Sequence, residues 1–224
     1  MALNSNKIKG GGVDQQVVDP GVYPSRIVQI IDFGLQPQRP YLGQDKPPAN
    51  EIGLTYELVD TFMVDKDGKE DVTKPRWLSE IIPLFNLKAD KAKSTQRYKA
   101  ADPNNNFNGD FSKLIETPVN VSVVHNKQGE KLWVNVASIS AMRPRDADKC
   151  PKLVNLPKVF DLDEPNLEVF RKLPEWMQEK IKKNLNFNGS KLQAALGIEA
   201  EEFEEKKPIP ANDKEAISDD KPWD

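Results

Sequence analysis

Ile52-Gly53-Leu54-Thr55-Tyr56-Glu57-Leu58-Val59 decides the fold. Ile52, Leu54, Tyr56 and Leu58 alternate with Gly53, Thr55, Glu57 and Val59, the period-two pattern of a strand with one face on a core. Upstream, Gly21 to Phe33 reads as a first strand. Val22, Tyr23, Ile27, Val28, Ile30 and Ile31 are strand formers, and Asp32–Gly34 supplies a stop. Between the two, Leu35 to Asn50 holds Pro37, Pro40, Pro47 and Pro48. Each proline removes a ladder donor, so the stretch is an extended loop. Downstream, Asp67-Gly68 reads as a hairpin turn. Asp65-x-Asp67-Gly68 also resembles the start of a calcium loop. It lacks the EF-hand spacing between second ligand and glycine, and the closing glutamate.

Arg76 to Phe85 reads as the third strand, with Phe85 expected in the core. Asp90 to Ala101 is a short helix-like stretch without a strong apolar face. Asp110 to Glu116 leads into an alternating fourth strand, Pro118 to Val123. Lys127-Gln128-Gly129 is a turn, and Lys131 to Met142 is the fifth strand. There Leu132, Val134 and Val136 share one face, and Lys131, Trp133 and Asn135 the other. Three strands, a connecting segment with room for a helix, then two strands is the order of an OB fold, a small five-stranded Greek-key barrel. A five-stranded open sheet is the alternative. The expected class is mainly β with C-terminal helices (α+β).

Beyond Arg143-Pro144-Arg145 the composition changes. Pro151 to Pro165 reads as a connector. Asn166 to Asn186 reads as helix in two pieces divided at Pro174, with Trp176, Met177, Ile181 and Leu185 near one face. Ser190 caps a last short helix that Gly197 ends. The expected organisation is a flexible arm over 1–20, an OB domain over 21–146, a helical extension over 147–198 packed on the barrel, and a disordered acidic tail over 199–224. Trp176 is expected beneath the helix face.

The chain has 224 residues, one cysteine (Cys150), one histidine (His125) and a net charge of −3. A lone cysteine excludes an internal disulfide, and one cysteine with one histidine cannot make a Cys/His zinc site. Residues 1–20 lack the apolar segment of a signal peptide, and the reading is a reducing cytoplasm without a membrane partner. Gly10-Gly11-Gly12 is followed by no Gly-Lys-Ser/Thr and preceded by no strand, which argues against a phosphate-binding loop. No nucleophile has a base in reach and no carboxylates cluster on strands, so no enzyme, cofactor or metal is expected.

Residues 199–224 hold ten acidic and four basic side chains, a charge of −6, which leaves about +3 on residues 1–198. A mildly basic body with an acidic tail points to a polyanion partner, and a solubility tail is the plainer reading. Single strands are held by cations along the phosphates and aromatic faces under the bases. Lys74 to Lys99 has seven cations against two acids, with Trp77, Phe85 and Tyr98 among them. The candidate DNA-binding residues are Arg76, Trp77, Lys88, Lys91, Lys93, Arg97 and Tyr98 here. Arg39 and Tyr41 in the long loop, Lys131 and Trp133 on the last strand, and Arg143 and Arg145 after it complete the set. A solvated helix with core aromatics would give the same composition.

Gly21-Val22-Tyr23-Pro24-Ser25-Arg26-Ile27-Val28 and Leu114-Ile115-Glu116-Thr117-Pro118-Val119-Asn120-Val121 together resemble bacteriophage-encoded, OB-fold single-stranded-DNA-binding proteins. The likeness covers roughly residues 21–198. Glu116-Thr117 departs from it, because the family's glycine before Pro118 is missing. Asp219-Asp220-Lys221-Pro222-Trp223 is similar to the acidic peptide, commonly Asp-Asp-x-Pro-Phe, that ends bacterial and phage single-stranded-DNA-binding proteins. Here Trp223 replaces Phe and Asp224 follows it. The resemblance implies a protein that coats single-stranded DNA during phage replication or recombination in the bacterial host cytoplasm. Asp219, Asp220, Pro222, Trp223 and Asp224 would recruit phage or host replication and recombination proteins. Oligomeric state is left open. The rival is an OB-like adaptor, or a phage structural or host-takeover protein, that binds another protein and no DNA.

Overall fold

The computed structural model describes residues 17–40, 42–129 and 131–199. The chain is a mainly β protein built on an antiparallel sheet, with a few short helices. Strands β1 (Gly21–Gln36), β2 (Ala49–Val64) and β3 (Glu70–Pro83) form a meander. Strands β4 (Pro118–Gln128) and β5 (Lys131–Ala141) form a hairpin on the other side of β1. The order across the sheet is β3-β2-β1-β4-β5. Asp67-Gly68 does turn the chain between β2 and β3, with Gly68 at φ +80°. The Asp65 carboxylate accepts the N–H of Asp67 and of Lys69, each at 2.9 Å, so this side chain serves the turn.

The first strand is apolar on both faces, and two bulges make that possible. Ile27 pairs with Tyr56, Val28 is an extra residue, and Gln29 then pairs with Thr55. The bulge shifts the side-chain phase, so Ile27 and Ile30 enter one core while Ile31 and Phe33 enter another. The first core lies inside the curl of the sheet, where Leu54, Tyr56 and Leu58 meet Leu78, Val119, Val121 and Leu114. The second lies on the outer face of β1. There Ile31 and Phe33 pack with Phe160, Phe170, Leu173, Met177, Ile181 and Leu192, from the helices α3 (Leu167–Arg171), α4 (Glu175–Lys182) and α5 (Lys191–Leu196) and from the segment between them and the one-turn helix α2 (Pro144–Ala147). A side chain at Gly53 would meet the Phe33 ring with its Cβ at 2.8 Å, so the glycine in the middle of β2 lets that ring lie on the backbone.

Two features of the second half depart from the sequence reading. The stretch read as connector contains a further strand, β6 (Lys158–Phe160), parallel to β1 over Gln29 to Ile31. Residues 150–155 are also strapped to the sheet. Arg26 donates to the carbonyls of Cys150 (2.9 Å), Pro151 (2.7 Å) and Glu116 (2.7 Å). The buried Glu57 carboxylate accepts from the Val154 N–H (2.6 Å) and the Asn155 side chain (2.7 Å). Arg26 and Glu57 face each other across β1 and β2, and each is spent on the strap.

The expected barrel is not closed by hydrogen bonds, since no ladder joins β3 to β5 among the described residues. Helix α1 (Lys93–Ala101) sits where that ladder would run. Its Arg97, 2 % exposed, grips both edges. Nε and Nη2 donate to Glu80 of β3 at 2.7 and 3.1 Å, and Nη2 also donates to the carbonyls of Val136 and Ala137 on β5 at 3.2 and 3.3 Å. Tyr56 donates its hydroxyl proton to the same carboxylate at 2.8 Å, and Lys93 approaches it at 2.7 Å. Burial pushes the Glu80 carboxyl up, but Arg97 and Lys93 outweigh it and hold the group below its ordinary 4.5.

Glu116 adopts φ +64°, in the left-handed region, while its N–H bonds the Ile27 carbonyl at 2.8 Å. This is where the resembled family carries glycine. Left-handed backbone costs a side-chain-bearing residue roughly 1–2 kcal/mol, partly offset by the entropy glycine loses on folding. Glu116→Gly is therefore expected to stabilise the fold by up to about 1 kcal/mol in urea unfolding, whereas Glu116→Val is expected to weaken it.

Candidate nucleic-acid interface

The candidates fall into three groups once placed on this frame. Arg97 and Tyr98 are corrected from surface to interior. Arg97 is held in the clasp between β3 and β5. The Tyr98 hydroxyl donates to Asp102 at 3.0 Å and accepts from the Gly109 N–H at 2.8 Å. Their helix fills the gap in the sheet, so its inward face cannot reach a ligand. Lys93 is exposed, yet its charge already faces Glu80. Arg76 is half-buried on the Leu78 side of β3, beside Tyr23, Phe62 and Glu70, and burial lowers its guanidinium below the usual range. Of the seven cations between Lys74 and Lys99, at least four are in ion pairs among the described residues: Lys74 with Asp71, Lys93 and Arg97 with Glu80, and Lys99 with Asp90.

The second group is exposed. Lys88 and Lys91 lie in the loop between β3 and α1, and Arg39 in the loop between β1 and β2. Arg143 pairs with Asp146 at 2.7 Å and lines a shallow cavity with Arg145 and Lys149. Trp133, 51 % exposed, stands opposite Asn126 where the β4–β5 hairpin runs on past its last pairing with β1 at Val123. Leu132, on the face shared with Val134 and Val136, is exposed on the other side of the same free arm. His125 there lies 2.7 Å from the Val18 carbonyl, to which Nε2 donates. Tyr41, the Lys131 side chain and the tail residues Asp219, Asp220, Pro222, Trp223 and Asp224 lie outside the described residues.

The third group joins the candidate Trp77 to two residues the sequence did not bring out as binding residues, Ile81 and Phe85. The β2–β3 register sets Trp77 opposite Glu57, Ser79 opposite Thr55 and Ile81 opposite Gly53. These residues alternate with Leu78 and Ile82, which enter the core, so they share the outer face. Trp77 is 39 % exposed, Ile81 40 % and Phe85, two residues past the end of β3, 50 %. Phe85 is thus corrected from core to surface, because its N–H bonds Ser94 Oγ at 3.0 Å as the chain bends toward α1. Trp77 Nε1 donates to Glu57 at 3.0 Å, which fixes the indole. With ~3.4 Å per extended residue, Trp77 and Ile81 lie on the order of 14 Å apart along the outer face, and Phe85 follows beyond the strand end. Both phases of β3 carry apolar residues, so periodicity could not say which faced out. Trp176 is a further correction. It is half-exposed, with its ring stacked 6.3 Å from Phe33, while Met177 and Ile181 take the buried positions of α4.

Among the described residues no group of three or more His, Cys, Asp or Glu side chains could hold a metal ion, and no helix is long and apolar enough to cross a membrane. No protein-family model matches this chain, and no curated protein sequence matches it.

Proposed function

We propose that this protein binds single-stranded DNA along the outer face of β3, with an OB-type barrel as its scaffold. The observation that carries this reading is the exposed pair Trp77 and Ile81 on the outer face of β3, followed along the chain by exposed Phe85 and the exposed cations Lys88 and Lys91. The half-exposed Trp77 ring, fixed on a rigid strand by its bond to Glu57, suits base stacking, which tolerates any sequence because every base has a π-face. The strand order β3-β2-β1-β4-β5 is that of an OB barrel opened between β3 and β5, and in that fold the β2–β3 face and the loops beside it receive oligonucleotides. The Trp133 arm corresponds to one such loop and Arg39 lies in another. The acidic tail with its Trp223 tip would recruit replication or recombination proteins, as its likeness to bacterial and phage tails implies, in the cytoplasm of a phage's host.

A protein-binding adaptor is the second reading, and the paired state of four of the seven cations favours it. Titration with oligo-dT, followed by tryptophan emission at increasing salt, separates the two. A DNA binder is expected to quench, with affinity falling with a log–log slope of about −0.7 for each phosphate contact. No quenching at low salt favours the adaptor.

A further inference from the structure

Just beyond the C-terminal end of β3 lies a pocket. Phe85, Leu84, Leu87, Asn50, Asn86 and Asn108 line an open cavity of about 500 Å³, within the size range of small-ligand clefts. We infer that this cavity takes one nucleobase out of the bound strand and reads its edge, giving the protein a base preference at that position. The inference rests on the DNA reading proposed above.

Three observations support it. First, the lining has the chemistry of a base: apolar side chains for the ring faces, and carboxamides that offer both donors and acceptors to an amide-like edge. Second, each wall is anchored. The Asn50 carbonyl accepts the Leu84 N–H at 2.6 Å, and Thr95 of α1 donates to the Asn86 carbonyl at 3.2 Å. Asp102 accepts the N–H groups of Asn106 and Phe107 at 2.9 Å, and the Tyr98 hydroxyl accepts that of Gly109 at 2.8 Å. The loop carrying Asn108 is therefore fixed before any ligand arrives. Tyr98, lost as a stacking residue, acts here as a positioning residue. Third, the exposed Lys88 directly follows Leu87 of the pocket wall, so a phosphate contact beside an inserted base is compatible with the chain's course.

Full-length protein titrated with runs of dT, dA and dC is the test. The wild type is expected to rank them with at least about a threefold spread, the scale of one or two net hydrogen bonds. Asn86→Asp with Asn108→Asp replaces each NH₂ by an acceptor. It keeps the Asn86 oxygen that accepts the Lys88 N–H at 2.9 Å, and it suits the left-handed backbone of Asn108. Added negative charge lowers affinity for every run alike, so the readout is the ratio. The double variant is expected to flatten or reorder it, while Phe85→Ala lowers affinity for all runs by about tenfold. Equal wild-type affinity for the three runs, or an unchanged ratio in the double variant, overturns the pocket and leaves DNA binding standing. A wild type that binds none of the runs overturns DNA binding itself.

Discussion

Replacing Arg97 with alanine is expected to cost about 3–5 kcal/mol of unfolding free energy, the usual scale for removing one partner of a buried ion pair. The loss is large because one guanidinium serves two edges of the sheet. It neutralises Glu80 and satisfies the Val136 and Ala137 carbonyls that would otherwise face a gap. Arg97→Lys is expected to recover little, since an ammonium cannot span both edges with a planar fork. The pH dependence has a defined sign. In the wild type the Glu80 carboxyl lies below 4.5, so its contribution is full above that value and is lost as the pH falls through the folded value. Without Arg97, burial dominates and the ionised carboxylate becomes a cost near neutral pH. The stability gap between variant and wild type should therefore be widest near pH 7 and narrow as the pH drops below 4.5. Urea unfolding across pH measures this, and a gap below about 1 kcal/mol at pH 7 would show that the clasp does not hold the sheet edges together.

Trp77→Ala combined with Phe85→Ala is expected to weaken oligo-dT binding by at least about 30-fold, taking the low end of ~1 kcal/mol for each stacked base. Neither residue is in either core, so the variant should melt close to the wild type. Trp77→Phe keeps a ring but loses the bond to Glu57. It should fall between the two, because an unfixed ring stacks less well. Binding of the double variant within about twofold of wild type would exclude the β3 face as the stacking surface.

The strand series was readable because Leu54, Tyr56, Leu58, Val119 and Val121 follow a clean period of two. The extent of β1 was not, because Ile27 to Ile31 is apolar throughout and only the Val28 bulge assigns each residue to a core. The β6 strand was hidden by its three-residue length and its neighbouring prolines. The site was legible in composition and largely illegible in geometry. Lys74 to Lys99 was found as a basic–aromatic stretch, but Arg97 and Phe85 exchanged the roles expected of them. A charge close to a carboxylate in space, and not in sequence, was drawn inward, while a phenyl just beyond a strand end was turned out. Trp176 failed for a related reason. Phe33 needs only one side of a ring above it, and Met177 and Ile181 already fill the helix face that the sheet can cover.

Photo-cross-linking of full-length protein to a bromodeoxyuridine-containing single strand, with the modified residues located by mass spectrometry, tests most directly whether DNA lies on the outer face of β3. Adducts at Trp77 or Phe85 that disappear under excess oligo-dT are expected. Adducts confined to other surfaces, or none above background at low salt, would contradict a DNA-binding face on β3.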